Sequence, residues 1–413
     1  MNLGLIDPFS ISDYPESLGN VLKKGHATSI RFNEKGSALA AGLVNGTVFV
    51  WNLVTLSVIR KLKGHTRAIQ SVRWSSCGRY LLTASRDWKC ILWDLKDATI
   101  VYSIRFQGPL WQAELHPSDI NKFVVSIYEE LPQFVIVRDG KPERYPLPTD
   151  SSAIISSTDT KKKRNSKLKH VTVSCVFLSN GKYVLAGTSK GWLNVIDTET
   201  QNIIACQRIA SQTIKQIRLS VCKRYAIVNC TDRVIRTLSI QDFNHLEVEH
   251  KFQDVVNKLQ WNACGFSPTG EYVLATAYQA AHAIYIWERS MGSLVRILEG
   301  PKEELVDVDW HPVFPRIAAV GLDTGSIYIW SAKQEESWSA FAPDFQELKE
   351  NIDYEEKEDE FDIYDEDLVT NTEQEDQSQA VTLTLGDKLE TQYLVPLSLT
   401  TTNSSDASSY QDD

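Results

Sequence analysis

Short runs of alternating apolar and polar positions, broken by turns of Gly, Ser, Asn or Asp, fill roughly the first four-fifths of this chain. Seven of these runs end on a large apolar residue just before a turn: Phe32, Trp74, Leu115, Phe177, Leu219, Phe266 and Trp310. The intervals between them are 42, 41, 62, 42, 47 and 44 residues. A second apolar run closes 19 to 22 residues after each landmark, on Trp51, Trp93, Val137, Ile196, Leu238, Trp287 and Trp330. Period-two alternation predicts strands, and a cycle of this length predicts one small sheet per cycle.

The second cycle is the clearest. Gly64-His65 opens it, Ser71 to Trp74 is the innermost strand, and Ser75-Ser76-Cys77-Gly78 is a turn. Tyr80 to Ala84 follows, then a tight turn at Ser85-Arg86-Asp87 into Cys90-Ile91-Leu92-Trp93-Asp94. This order is that of a WD40 repeat, so the expected fold is all-β: a seven-bladed WD40 β-propeller with an extended acidic C-terminal tail. His65, Ser85, Asp87 and Trp93 are expected to form a hydrogen-bonded string, because a buried carboxylate must be satisfied. The repeat spacing accounts for Ser, His and Asp without a hydrolytic triad. Other cycles are worn. Asn45 replaces the turn Asp in the first, and Asp232 precedes Leu238 rather than Trp in the fifth. His116-Pro117 and His311-Pro312 fall at the turn after the innermost strand and read as turn formers, not metal ligands.

Val21 to His26 mirrors Ile59 to His65, where an outer strand leads into the next Gly-His. The N-terminal strand is therefore expected to complete the seventh blade. Closure by Ser337 to Phe341 is the alternative. The propeller is placed at 1–332, with a basic insertion near 150–169, a partner-binding segment at 333–367 and a tail at 368–413.

Charge divides the chain in the same place. From Glu335 onward there are 23 acidic and 3 basic residues, which leaves 30 acidic and 40 basic residues in the body. A basic body with an acidic tail suits polyanion contacts on one and partner binding on the other. The insertion carries Lys161, Lys162, Lys163 and Arg164, and reads as a nuclear localisation signal, a nucleic-acid contact or a solvated loop. Seven cysteines without CxxC spacing argue against a disulfide framework or a zinc site. No cofactor is expected. No stretch approaches the ~20 apolar residues of a membrane helix, and the expected location is intracellular.

Past Trp330 the pattern stops. Ser337 to Phe345 places three aromatics, Trp338, Phe341 and Phe345, beside Pro343, as anchors for a partner or as residues tucked on the ring. Asp353 to Asp367 punctuates carboxylates with Phe361, Ile363 and Tyr364, which suits docking on a basic groove. Gln379 to Leu385 is a short apolar run in a polar tail.

The repeat order, Met1-Asn2-Leu3, Tyr285-Ile286-Trp287-Glu288 and above all Trp338-Ser339-Ala340-Phe341-Ala342-Pro343-Asp344-Phe345 resemble the retinoblastoma-binding protein 5 family. That family supplies the WD-repeat subunit of COMPASS-type histone methyltransferase complexes, and the likeness runs from the repeats through Asp367. The resemblance implies a nuclear, non-catalytic scaffold and activator that raises methylation of lysine 4 of histone H3. Trp338, Phe341, Pro343 and Phe345 match a segment that lies against the SET domain. Tyr354, Glu360, Phe361 and Ile363 match a segment that binds a SPRY-domain subunit. Val381, Thr382 and Leu383 are the nearest match, in poorer acidic surroundings, to a motif for a second WD-repeat subunit. Lys223 or Arg224, Lys258 and Lys302 match basic loop positions that face nucleosomal DNA and histones. The fourth such position falls near the uncharged Ala280, and the Lys161 to Lys169 loop could replace the lost contact.

A runner-up reading is a substrate receptor of a cullin-type ubiquitin ligase, since Trp93-Asp94-Leu95-Lys96 half-resembles the motif that docks WD proteins there. An enzyme in its own right would need a phosphate loop, a metal cluster or a triad outside the repeats, and the sequence offers none of these.

Overall fold

The computed structural model describes residues 13–332, apart from 139, 150–170, 179–180, 243–244, 255 and 279–283. Each landmark closes a strand, and four antiparallel strands make each of seven sheets. Blade 1 is β2 to β5 (Ala27–Phe32, Ala38–Leu43, Thr47–Asn52, Ser57–Lys63). Blade 2 is β6 to β9 (Ile69–Trp74, Tyr80–Ser85, Lys89–Asp94, Thr99–Arg105), and blade 3 is β10 to β13 (Leu110–Leu115, Lys122–Ile127, Gln133–Arg138, Lys141–Pro146). Blade 4 is β14 to β17 (Thr172–Phe177, Tyr183–Thr188, Trp192–Asp197, Ile203–Arg208). Blade 5 is β18 to β21 (Ile214–Leu219, Tyr225–Cys230, Ile235–Asp242, His245–Phe252). Blade 6 is β22 to β25 (Trp261–Phe266, Tyr272–Ala277, Ile284–Glu288, Leu294–Leu298). Blade 7 takes β26 to β28 (Leu305–Trp310, Arg316–Gly321, Ile327–Ser331) and borrows its outer strand from the start of the chain, β1 (Ser17–Leu22).

The borrowed strand settles how the ring closes. β1 runs antiparallel to β28 from the Ser17–Ser331 pair to the Leu22–Ile327 pair, and the Glu16 amide donates to the Ser331 carbonyl at 3.0 Å. All four strands of blade 7 thus come from residues 17–331, as the Val21 to His26 pattern predicts.

Burial follows strand position. The second and third strands of blade 1 are buried at every residue, because both sheet faces are covered by neighbouring blades. The outer strands alternate with solvent; β9 buries only Ile104 fully. Among the described residues there is no single central core. Seven apolar clusters each fill one seam between consecutive blades, and the seam of blades 7 and 1 holds Ala318, Val320 and Ile327 against Ile30, Leu39 and Trp51. Each blade is therefore stabilised mainly by its two neighbours.

Antiparallel order also sorts the loops. The interblade linkers and the turns between second and third strands share one face of the disc, called here the linker face. The first-to-second and third-to-fourth turns share the opposite face. The described chain leaves β28 on that opposite face.

Candidate functional site

The repeat's polar string is present in blade 2, with one member changed. His65 Nδ1 donates to Asp87 at 3.0 Å, and Nε2 meets the Thr83 hydroxyl at 2.8 Å. The Trp93 indole N–H donates to that same hydroxyl at 3.0 Å. Thr83, not Ser85, is the link. Thr83 and Ser85 share a face of β7, but Thr83 lies one residue pair further into the blade, level with His65 and Trp93, whereas Ser85 ends the strand at the turn. Ser85 instead donates to the Arg67 and Ala68 carbonyls and accepts the Asp87 amide. Burial alone would raise the Asp87 carboxyl, but the bonds from His65 and the turn amides hold it below its ordinary range. With His65 occupied on both nitrogens, these residues tie β7 and β8 to the linker that opens the blade and leave no nucleophile among them to activate.

His116 and His311 serve the turns in which they lie. His311 Nδ1 accepts the Val313 and Phe314 amides at 3.1 and 2.9 Å, and Nε2–H donates to the Gly36 carbonyl of blade 1 at 2.9 Å. His116 likewise caps Ser118 and Asp119 and lies against Gly181 of blade 4. A Cβ on Gly36 would come 2.2 Å from the His311 ring, so glycine is required for that latch. Burial first, then a neighbouring cation, lowers the pKa of His116; burial also lowers that of His311. Among the described residues no group of three or more His, Cys, Asp or Glu could hold a metal ion.

The axis of the ring holds the densest electrostatics. One residue before each landmark, the innermost strands present Arg31, Arg73, Glu114, Val176, Arg218, Gly265 and Asp309. Arg31 pairs with Asp307 at 2.8 Å and Arg73 with Glu114 at 2.6 Å. Arg218 crosses from blade 5 to blade 7, meeting Asp307 at 2.8 Å and Asp309 at 3.1 Å. Asp307 also accepts the Ser29 hydroxyl and the Ile30 amide. Burial would raise its carboxyl, but Arg31 and Arg218 outweigh this and hold it below the usual carboxylate range. Burial and the Arg31 charge pull Arg218 down to about 10, which leaves it a cation at neutral pH. Three guanidiniums and three carboxylates thus neutralise one another in the channel. Five of the seven positions one residue before a landmark are charged, a signal present in the sequence, whereas Asp307, three residues before Trp310, lies off that offset.

The basic positions matched to DNA contacts divide between the two faces. Lys258 and Lys302 are exposed on the linkers before blades 6 and 7. Lys223 and Arg224 lie in the first turn of blade 5, on the opposite face, where the Lys223 charge acts on Glu34 of blade 1 and His116 of blade 3. The ring therefore does not bring these four together into one patch. Lys161, Lys162, Lys163 and Arg164 lie outside the described residues, as do Trp338, Phe341, Pro343, Phe345, Tyr354, Glu360, Phe361, Ile363, Val381, Thr382 and Leu383. Trp93, Asp94 and Leu95 are buried, and Asp94 is held by the Arg79 guanidinium at 3.0 Å, so they act within the blade.

Residues 18–52 and 56–94 match the family described as WD domain, G-beta repeat. Over 366 residues the chain is 66% identical to "Set1 complex component swd1" of Schizosaccharomyces pombe, covering 89% of this chain and 91% of that protein. It is 35% identical over 380 residues to "Retinoblastoma-binding protein 5 homolog" of Drosophila melanogaster, covering 89% and 73% respectively. The crystal structure of the Myceliophteria thermophila Cps50 (Swd1) beta-propeller domain superposes with a TM-score of 0.70 at 45% identity, over 76% of this chain and 99% of that one. With two thirds of its relatives' length matched at these identities, the chain belongs to the Swd1 and retinoblastoma-binding protein 5 family of WD-repeat proteins.

Proposed function

We propose that this chain is a non-catalytic scaffold and activator subunit of a Set1/COMPASS-type complex that methylates histone H3 on lysine 4 in the nucleus. Relatives bear the names Set1 complex component and COMPASS component. The observation that carries the division of labour is the β1–β28 closure, which completes the ring with residues 17–331 and leaves the acidic segment after Ala332 without a blade to build. Trp338, Phe341, Pro343 and Phe345 are assigned to the SET domain, and Tyr354, Glu360, Phe361 and Ile363 to a SPRY-domain subunit. Val381 to Leu383 are assigned to a second WD-repeat subunit. Two tethered contacts raise each other's effective concentration and hold a mobile SET domain in its competent arrangement. Nucleosomal DNA is assigned to basic loops of one face at a time, because Lys258 and Lys302 stand apart from Lys223 and Arg224. The buried state of Trp93, Asp94 and Leu95 gives the ubiquitin-ligase reading no support.

The test reconstitutes a SET-domain catalytic subunit with its SPRY partner and measures H3 methylation with the full chain and with one ending at Ala332. Activation that needs the residues after Ala332 supports the assignment. Equal activation by the truncated ring moves the activating contact onto the propeller, and stimulation by neither form defeats the proposal.

A further inference from the structure

On the linker face of blades 2 and 3, three aromatic side chains stand in solvent although the fold does not need them there. Trp88, Trp111 and Tyr128 are 39%, 39% and 46% exposed. One run of contacts joins them. The Arg105 guanidinium lies 5.7 Å from the centre of the Trp88 ring, and the Phe106 amide donates to the Trp88 carbonyl at 2.7 Å. The linker then leads into Trp111, whose ring is 5.7 Å from that of Tyr128, while the Tyr128 amide donates to the Pro109 carbonyl at 2.9 Å.

Trp88 is also strained. Its φ is +69°, at the turn position that blades 1 and 4 give to Gly46 (+80°) and Gly191 (+77°). Glycine makes this turn freely; a bulky side chain does so only against steric resistance. Arg233 takes the same +69° at this turn in blade 5, so the backbone is a property of the repeat; what sets Trp88 apart is a large exposed ring held beside a guanidinium, an arrangement that marks contact sites.

The surrounding charge is one-sided at the outer end. Arg67, Arg86, Arg105 and Arg144 are all exposed, and none forms an ion pair with a described carboxylate. Arg144 Nη2 donates to the Arg105 carbonyl at 2.7 Å, which sets it on the same rim. Asp87, the carboxylate inside this group, is committed to His65 and to the Thr66 and Lys89 amides. At the inner end Glu129 and Glu130 follow Tyr128.

The geometry points to a docking site for an acidic peptide segment of a partner protein, laid across the linker face with carboxylates on Arg86 and Arg105 and an apolar anchor on Trp88 and Trp111. Guanidiniums pair with carboxylates in two-pronged fashion, and exposed tryptophans beside them are the usual anchors of such contacts. Single-stranded nucleic acid also combines cations with stacking surfaces, but its phosphates would run onto Glu129 and Glu130 where bases would stack on Trp111 and Tyr128. A peptide can end its acidic run before them.

The test titrates the full chain against a fluorescein-labelled peptide in which aspartate pairs alternate with single leucines, at physiological salt, by anisotropy. Saturable binding is expected, weakened at least about tenfold by Trp88→Gly and by Arg105→Glu, and unchanged by Lys251→Glu on β21 of blade 5. Trp88→Gly should keep or raise Tm, because glycine suits that backbone, so its loss of binding is separable from unfolding. Three results overturn the proposal: no saturable binding; equal binding by Trp88→Gly and Arg105→Glu; or displacement of the peptide by a single-stranded oligonucleotide that binds more tightly through the same residues.

Discussion

Arg218 donates to Asp307 at 2.8 Å from two blades away, and it reaches there past Gly265. A Cβ at Gly265 would sit 3.7 Å from Arg218 Nη1, so the blade between the partners contributes almost nothing to the channel at that level. The ring is thereby tied through its centre as well as around its rim. Asp307→Ala leaves Arg31 buried without its paired carboxylate and Arg218 with Asp309 alone, and is expected to cost about 3–5 kcal/mol. Adding Arg31→Met and Arg218→Met should recover most of that loss. Denaturant midpoints of the three proteins decide it, and a full-sized loss in the triple variant would mean that packing rather than charge is at stake.

Thr83→Val leaves the His65 and Trp93 ring nitrogens buried without their shared partner, at a cost of about 2–3 kcal/mol. Ser85→Ala removes bonds at a turn and should cost about 1 kcal/mol. The order of the two Tm losses tests whether the string runs through Thr83.

Acid should weaken the ring in two steps. His311 and His116 have folded pKa values below their ordinary 6.5, so the unfolded chain binds their protons first. Their contribution is complete above pH 6.5 and is lost as pH falls through the depressed values. Asp307 and Asp87 are also lowered, from 3.8, so their contribution is present above that pH and is lost below it. His311→Ser, which borrows the residue that blades 2, 5 and 6 use at this turn, should flatten only the upper step of a Tm-against-pH series.

Removing residues 1–22 deletes β1 and bares the edge of β28. That protein should melt well below the full chain and self-associate, because an unpaired inner edge is a template for another strand. A chain ending at Ala332 should keep its Tm. Scanning calorimetry and size-exclusion chromatography on both proteins check the pair of outcomes.

The fold was legible because each blade repeats its apolar spacing. Phe32, Trp74 and the other landmarks end the innermost strands, and the likeness of Val21 to His26 and Ile59 to His65 located the closing strand. What escaped was set by side-chain direction and by distance along the chain. Thr83 and Ser85 are both hydroxyl residues on the same face of one strand, and only their depth along it decides which meets His65. The Arg218–Asp307 pair spans 89 residues, and nothing local in either strand announces it. Lys223 and Lys302 both match basic loop positions, yet alternate turns of an antiparallel sheet point to opposite faces.

β1 is made first and needed last. Its partner β28 is about 300 residues downstream, so during synthesis at ~5–20 residues per second the closing strand waits ~15–60 s for its place. For that interval the seam between blades 7 and 1 stays open to solvent, while the other six can close as their blades emerge. Birth of this protein is therefore the moment of greatest exposure to misassembly, and its demand on chaperones should fall abruptly once Ser331 has cleared the ribosome.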